Sequence, residues 1–363
     1  MIERDELAAW LRLLQTPQVG REAARRLLAS FGSPQAIFGA SAADLRELAG
    51  NLAGALTVPP PSLEATLEAT LRWLAAGDLR AVVTLGDVLY PASLLETADP
   101  PLLLYLQGRA ELLAAVSVAV VGSRNPTAQG IANAHSFARH LSQAGLSVVS
   151  GLALGIDGAA HEGALEGAGS TIAVVGTGLD RVYPRRHLDL AHRIAARGLM
   201  VSEWPLGTLP LGANFPQRNR LIAGLSRGTL VVEAALQSGS LITARLAAEC
   251  GRDVFAIPGS IHAPQSRGCH ALIKQGAKLV DSARDILEEL QLGAPVAAAV
   301  QGELPTRTDP LLKALGHDPV TLDALVERTG VAPADLSARL LELELEGQVA
   351  RLPGQLFQRV ARG

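Results

Sequence analysis

Residues 116–157, VSVAVVGSRNPTAQG through LSVVSGLALGID, restrict the fold of this chain more than any other stretch. A run of small β-branched residues, Val118 to Val121, enters Gly122-Ser123-Arg124, and a second run, Ser147 to Ser150, enters Gly151, Gly155 and Asp157. Thr127–Ala144, between them, is patterned as a helix. Strand, tight glycine turn, helix and strand form a βαβ unit whose two turns fall on one sheet edge. At such an edge glycines let the backbone approach a ligand, and helix N-termini offer unpaired N–H groups to an anion. A phosphate is the expected guest. The turn is not G-x-G-x-x-G, no acidic residue ends the following strand, and no Gly-Lys-Ser/Thr follows, so neither a dinucleotide nor a Walker loop is indicated. The plainer alternative is a turn that only packs helix on strand. Arg124 argues against it, since it sets a planar, multi-donor cation where an anion would sit.

The alternation continues on both sides. Strands are expected at Ala81–Leu85, Leu102–Leu106, Val116–Val121, Ser147–Ser150, Thr171–Val175, Leu199–Ser202, Thr229–Glu233, Asp253–Ile257 and Lys278–Val280. Most are short unbroken apolar runs, as in a parallel sheet covered on both faces. Helical stretches at 127–144, 157–167, 187–197, 215–225, 240–250 and 269–276 separate them. Residues 79–291 therefore read as an enlarged doubly wound α/β domain.

Residues 1–78 read as helices. Pro17 to Leu28 resembles a helix-hairpin-helix with Gly20 closing its turn. Such a module faces a phosphate with a helix N-terminus or, more commonly, only packs. Residues 292–307 carry no periodic pattern and read as a linker. Residues 308–363 read as a winged helix: helices at Leu311–Leu315, Thr321–Arg328 and Pro333–Glu346, then a hairpin turning at Pro353-Gly354. Six basic residues stand there against eight acidic ones, and the third helix carries Asp335, Glu342, Glu344 and Glu346. A groove-reading helix is not normally this acidic, which favours protein contact over duplex DNA.

Bulk properties narrow the class. The apolar fraction of 48% with 36 glycines and 12 aromatic residues fits a soluble α/β protein. MIERDELAAW is not a signal peptide, and no uncharged apolar run reaches the ~18 residues of a membrane span, so a cytoplasmic location is expected. Cys250 and Cys269 make no metal or disulfide framework. Net charge is −3, yet residues 181–227 hold eight arginines and no lysine against Asp189 and Glu203 alone.

Three further turns follow strands on the same edge: Gly176-Thr177-Gly178, Phe215 to Arg220, and Gln237 to Ala244. In an open α/β sheet these face one crevice. It would hold Ser123, Arg124, Arg218, Asn219, Arg220, Ser238, Ser240 and Thr243, with glycine N–H groups between them. Catalytic candidates are weaker. Asp157 reads as a helix cap, His161 as a hydrogen-bonded structural histidine, and Ser238 and Ser240 as an N-cap without a nearby base. Asp157 and His161 alone make no metal site.

Val-Val-Gly-Ser-Arg, Ser-Gly-Leu-Ala-x-Gly-Ile-Asp-x-x-Ala-His, Gly-x-Gly-Leu-Asp-x-x-Tyr-Pro, Phe-Pro-x-Arg-Asn-Arg-x-Ile-Ala-Gly-Leu-Ser, Val-Glu-Ala-x-x-x-Ser-Gly-Ser-Leu-Ile-Thr-Ala and Ile-Pro-Gly-Ser occur in that order, the last followed by Gly-x-x-x-Leu-Ile-x-x-Gly-Ala. Together they resemble the DNA-processing protein A family (DprA, also called Smf), densely over residues 79–291. The resemblance implies an extended Rossmann-like, mostly parallel sheet between an N-terminal helical (SAM/helix-hairpin-helix-like) domain and a C-terminal winged helix. It implies a cytoplasmic protein that binds single-stranded DNA without sequence preference, protects it and loads RecA recombinase onto it during natural transformation. It further implies a homodimer through the Rossmann-like domain, no cofactor and no enzymatic activity. Carried over, the strand-binding residues are Gly122, Ser123, Arg124, Gly151, Arg218, Asn219, Arg220, Ser238, Gly239 and Ser240. Asp157, Phe215, Thr243 and Lys274 join them as further candidates, Phe215 and Tyr183 as stacking faces. Leu154 stands where the family usually has Arg. Two other readings remain open. One is a nucleotide-cleaving phosphoribohydrolase relative, with Glu233 faintly in the catalytic position but no Pro-Gly-Gly-x-Gly-Thr loop. The other is a duplex-DNA regulator working through the winged helix.

Overall fold

A computed structural model of the chain describes residues 2–291, 309–316 and 319–359. The linker expected at 292–307 lies outside them. Nine strands form one sheet: β1 (Arg80–Thr84), β2 (Leu103–Gly108), β3 (Ser117–Val121), β4 (Ser147–Ser150), β5 (Thr171–Val174), β6 (Leu199–Ser202), β7 (Gly228–Val231), β8 (Asp253–Ala256) and β9 (Lys278–Leu279). Their spatial order is β1-β2-β6-β5-β4-β3-β7-β8-β9. Pairings from β6 across to β9 are parallel, whereas β1 with β2 and β2 with β6 are antiparallel.

The central strands are buried on both sides, which explains their unbroken Val/Ile/Leu/Ala runs. Ala119, Val121, Val149, Ile172, Val174 and Val231 face a core closed by helices Asn214–Leu225 and Ser240–Glu249. On the other face Val118, Val120, Val148 and Leu230 meet Ala134, Phe137 and Leu141 of helix Ala128–Gln143. The same face at the antiparallel end is covered by the N-terminal helices. Leu7, Trp10, Leu11, Ile37, Leu67 and Trp73 share one apolar core with Leu103, Tyr105 and Met200, and Trp73 meets Tyr105 edge-on at 6.0 Å. The N-terminal helices thus form a layer of the sheet domain as well as a helical cluster.

Chain order reverses between β3 and β7. From β3 the chain steps through β4 and β5 to β6 on one side, then returns to lay β7 against the other side of β3. The loops leaving the carboxyl ends of β3 and β7 therefore diverge and leave a crevice between them.

The C-terminal module has its own core of Leu311, Leu315, Leu325, Leu336, Leu340, Leu343 and Phe357. Helices Pro310–Leu315, Leu322–Thr329 and Pro333–Leu345 precede the hairpin Val349–Leu352 with Leu356–Arg359, the winged-helix arrangement. Thr321 caps the second helix by accepting from the Ala324 N–H at 3.2 Å.

Candidate nucleic-acid interface

A groove of about 750 Å³ lies at the β3/β7 switch point. The turn after β3 supplies its first wall. Gly122 is required there, because a Cβ would come within 2.7 Å of Ile156 and 2.9 Å of the Glu233 carbonyl. The Ser123 N–H donates to that carbonyl at 2.8 Å, tying the β3 and β7 turns together. Arg124 follows, exposed on the rim, with its guanidinium 5.8 Å from the centre of the Phe215 ring. Phe215 in turn lies 5.5 Å from Tyr183, tilted by 37°, and Tyr183 is 48% exposed. A cation and two aromatic faces thus stand in a row along one edge.

The turn after β7 supplies the opposite wall. Ser238 and Ser240 share a hydroxyl–hydroxyl hydrogen bond at 2.7 Å at the start of helix Ser240–Glu249. Gly239 is exposed between them, and Thr243 lines the groove one turn on. Asn219 reaches across, its Nδ2 3.5 Å from the Gly239 carbonyl.

Arg218 forms the floor. It is 3% exposed, donates to the Val174 carbonyl and lies flat against Gly151, where a Cβ would fall 2.0 Å from Nη1. Burial lowers its pKa to about 10, partly offset by the Asp157 charge, so it remains a cation at neutral pH. Asp157 is buried beside it and accepts from the Gly151 N–H at 3.1 Å and the Ala153 N–H at 3.3 Å. Burial pushes that carboxyl above the usual range, opposed by Arg218. The Nε–H of Arg218 has no hydrogen-bond partner among the described residues.

Beneath the groove His161 fixes the β4 turn. Its Nδ1 lies 2.7 Å from Thr171 Oγ1, whose own hydroxyl donates to Val148 O, while Nε2 accepts from the Leu152 N–H at 3.2 Å. The ring is thus neutral with its proton on Nδ1. Burial holds its pKa at about 3. The expected structural role for His161 agrees with this geometry.

Ser123, Arg124, Phe215, Arg218, Asn219, Ser238, Gly239, Ser240, Thr243 and Gly122 are brought together around the groove. Four expectations require correction. Arg220 points away from it: Glu203 and Asp99 hold its guanidinium on the far side of the helix. Residues two apart on a helix project about 200° apart, so Arg218 and Arg220 cannot serve one cleft. Lys274 is exposed on helix Arg267–Lys274 and is not part of the groove lining. Gly151 is buried and makes room for Arg218 rather than for a ligand. Asp157 lines the groove, but an anion there would repel phosphate; it organises the β4 turn and balances Arg218. Leu154 is partly buried outside the lining. Sequence reasoning missed Asn125 and Gln237, which line the groove in exposed positions. Asn125 directly follows Arg124 and was available as a signal; the Pro210–Gly212 rim had none.

Two features bear on the other readings. The Glu233 carboxylate is taken up by the N–H and hydroxyl of Thr127, at the start of helix Ala128–Gln143. The N-terminal hairpin turns its Arg21 to Asp99 at 2.7 Å and Glu203 at 3.2 Å, with Arg25 joining Asp99 at 2.6 Å. That helix start is committed to the sheet domain.

Comparison with known proteins agrees with this geometry. The model of the DNA recombination-mediator protein A family matches residues 81–291, and that of the DprA winged helix domain matches residues 283–355. Protein Smf of Escherichia coli is 44% identical over 299 residues, 80% of each chain. DNA processing protein DprA of Streptococcus pneumoniae is 51% identical over 205 residues, 56% of this chain and 72% of that protein. The X-ray structure of the Streptococcus pneumoniae protein superposes with a TM-score of 0.64 at 39% identity, covering 79% of this chain and 98% of that one. A structure concerned with the single-stranded DNA binding mode of Helicobacter pylori DNA processing protein A gives 0.53 at 32% identity, over 58% and 96%. With its sheet domain and winged helix both matched and four-fifths of its length aligned to Smf, the chain belongs to the DNA-processing protein A (DprA/Smf) family.

Proposed function

We propose that the β3/β7 groove binds single-stranded DNA, gripping its sugar-phosphate backbone without reading its sequence. The observation that carries this reading is the row of one exposed cation and two aromatic faces along the groove. Arg124 stands exposed 5.8 Å from the Phe215 ring, beside Tyr183 and above the buried charge of Arg218. An electropositive groove with aromatic faces is the usual construction for unpaired strands, and every base offers a π-face to such a surface. Hydroxyls and amides of Ser238, Ser240 and Asn219 are short donors suited to phosphate oxygens. The single-stranded DNA binding mode stated for the Helicobacter pylori protein supports the same reading.

On this reading the groove performs no bond-breaking, since Glu233 and His161 are both held in structural hydrogen bonds. The bound strand is protected during natural transformation and passed to RecA recombinase by a cytoplasmic homodimer built through the Rossmann-like domain. The test is titration of the purified protein with labelled poly-dT and with duplex of equal length. Much tighter binding of the single strand is expected. Equal or tighter duplex binding overturns the reading, and release of free base from a nucleoside monophosphate would favour the phosphoribohydrolase alternative.

A further inference from the structure

Helix Pro333–Leu345 of the winged helix is apolar on two opposite faces. Leu336, Leu340 and Leu343 are buried in the module's core. Ala334, Ala338, Leu341 and Leu345 are exposed on the other side, with Leu341 at 56% and Leu345 at 82%. At 3.6 residues per turn these four fall within about 60° of one another and form a stripe roughly 16 Å long. Their spacing of four, three and four residues is the a/d repeat of a coiled-coil seam. Among the described residues nothing covers the two leucines on that face.

The positions that flank such a seam decide what can pair with it. Taking Ala338 and Leu345 as a, and Ala334 and Leu341 as d, the e positions are Asp335 and Glu342 and the g positions are Ser337 and Glu344. Three of the four are acidic. Glu342 makes an exposed pair with Arg339, which also meets Asp309 at 2.6 Å, so the local cation is directed to the module's own acids. A second copy of this helix would bring like charges together across the seam, and a DNA phosphate would meet carboxylates. Both are disfavoured by the same charges.

We propose that this face of the winged helix docks a basic amphipathic helix of a partner protein. The partner's apolar residues would pack on Leu341 and Leu345, and its lysines or arginines would flank Asp335, Glu342 and Glu344. The site is independent of the groove at β3/β7 and stands whether or not that groove binds single strands.

The full-length protein is titrated with a labelled three-heptad helical peptide carrying Leu at a and d and Lys at e and g. The comparison peptide has Glu at e and g. Binding of the lysine peptide and none of the glutamate peptide is expected. Leu341→Ser with Leu345→Ser should weaken it about tenfold, as loss of a central apolar anchor does. Glu342→Lys with Glu344→Lys should transfer preference to the glutamate peptide. The proposal is overturned if the two leucine changes leave lysine-peptide binding intact, or if the native chain binds both peptides alike. It is also overturned if the leucine changes abolish binding of a short duplex, which makes the helix a DNA reader, or dissociate a dimer, which makes the occupant a second copy.

Discussion

The groove at β3/β7 and the third helix of the winged module are the two places where a chain of this architecture would be expected to meet DNA. They are built in opposite ways. The groove belongs to a fold shared by many unrelated functions, yet its walls converge one exposed arginine, one buried arginine and several short donors on the same space. The winged module has the outline of a DNA reader, but the helix that would enter a groove is lined with carboxylates and exposed leucine. Outline and chemistry come apart in the second and coincide in the first. The lesson is that a motif's shape names candidate surfaces, and the sign of the charge on them selects among ligands.

The comparison is broken most forcefully at Gly151. Gly151→Ala puts a methyl 2.0 Å from Arg218 Nη1, between guanidinium and backbone. Arg218 must move from its seat against Gly151 and the Val174 carbonyl. A stability loss of about 1–3 kcal/mol is expected, as for an extra methyl forced into a packed site, together with weaker single-strand binding. Thermal melts and oligonucleotide titration check it; a melting temperature like the native one would mean that Arg218 is not the floor.

Arg124→Ala comes next. It removes an exposed cation and leaves the scaffold intact, so single-strand affinity should fall about tenfold for all sequences and the salt slope by about one. An unchanged slope would take Arg124 out of the contact and weaken the contrast with the winged module.

A separate test, of the scaffold beneath the groove rather than of the strand contact, is set by acid. The folded pKa of His161, about 3, lies below its ordinary value of 6.5, so the unfolded chain takes up a proton that the folded one refuses. Its contribution is complete above about pH 6.5 and is lost as pH falls toward 3. His161→Gln should flatten that part of the stability-versus-pH curve, measured by denaturant titration at successive pH values.

Much of this was legible in the chain. All nine strands were: the central ones, buried on both faces, leave unbroken apolar runs such as Val118 to Val121, and the outer ones follow from the alternation with helices. The direction of β1 and β2 was not, since an apolar run carries no sign for parallel or antiparallel pairing. The crevice followed from glycine turns after strands. What failed was side-chain direction within it. Arg218 and Arg220 belong to one motif and one positive stretch, but helical geometry sends one to the groove and the other to Glu203 and Asp99. Lys274 failed similarly: motif membership placed it near the site, while the surface of its helix faces elsewhere. The packing of Trp10 and Trp73 on the sheet was hidden too, because the apolar stripe of a helix does not say what it covers.

The contact between Arg218 and Gly151 also limits how this fold can vary. A planar cation pressed on bare main chain leaves no room for a side chain at 151 while the arginine stays in place. A descendant that gains a side chain at 151 has to surrender arginine at 218, and one that keeps the arginine has to keep the glycine. The dependence runs one way: with glycine kept at 151, position 218, 67 residues on, can change without a clash there.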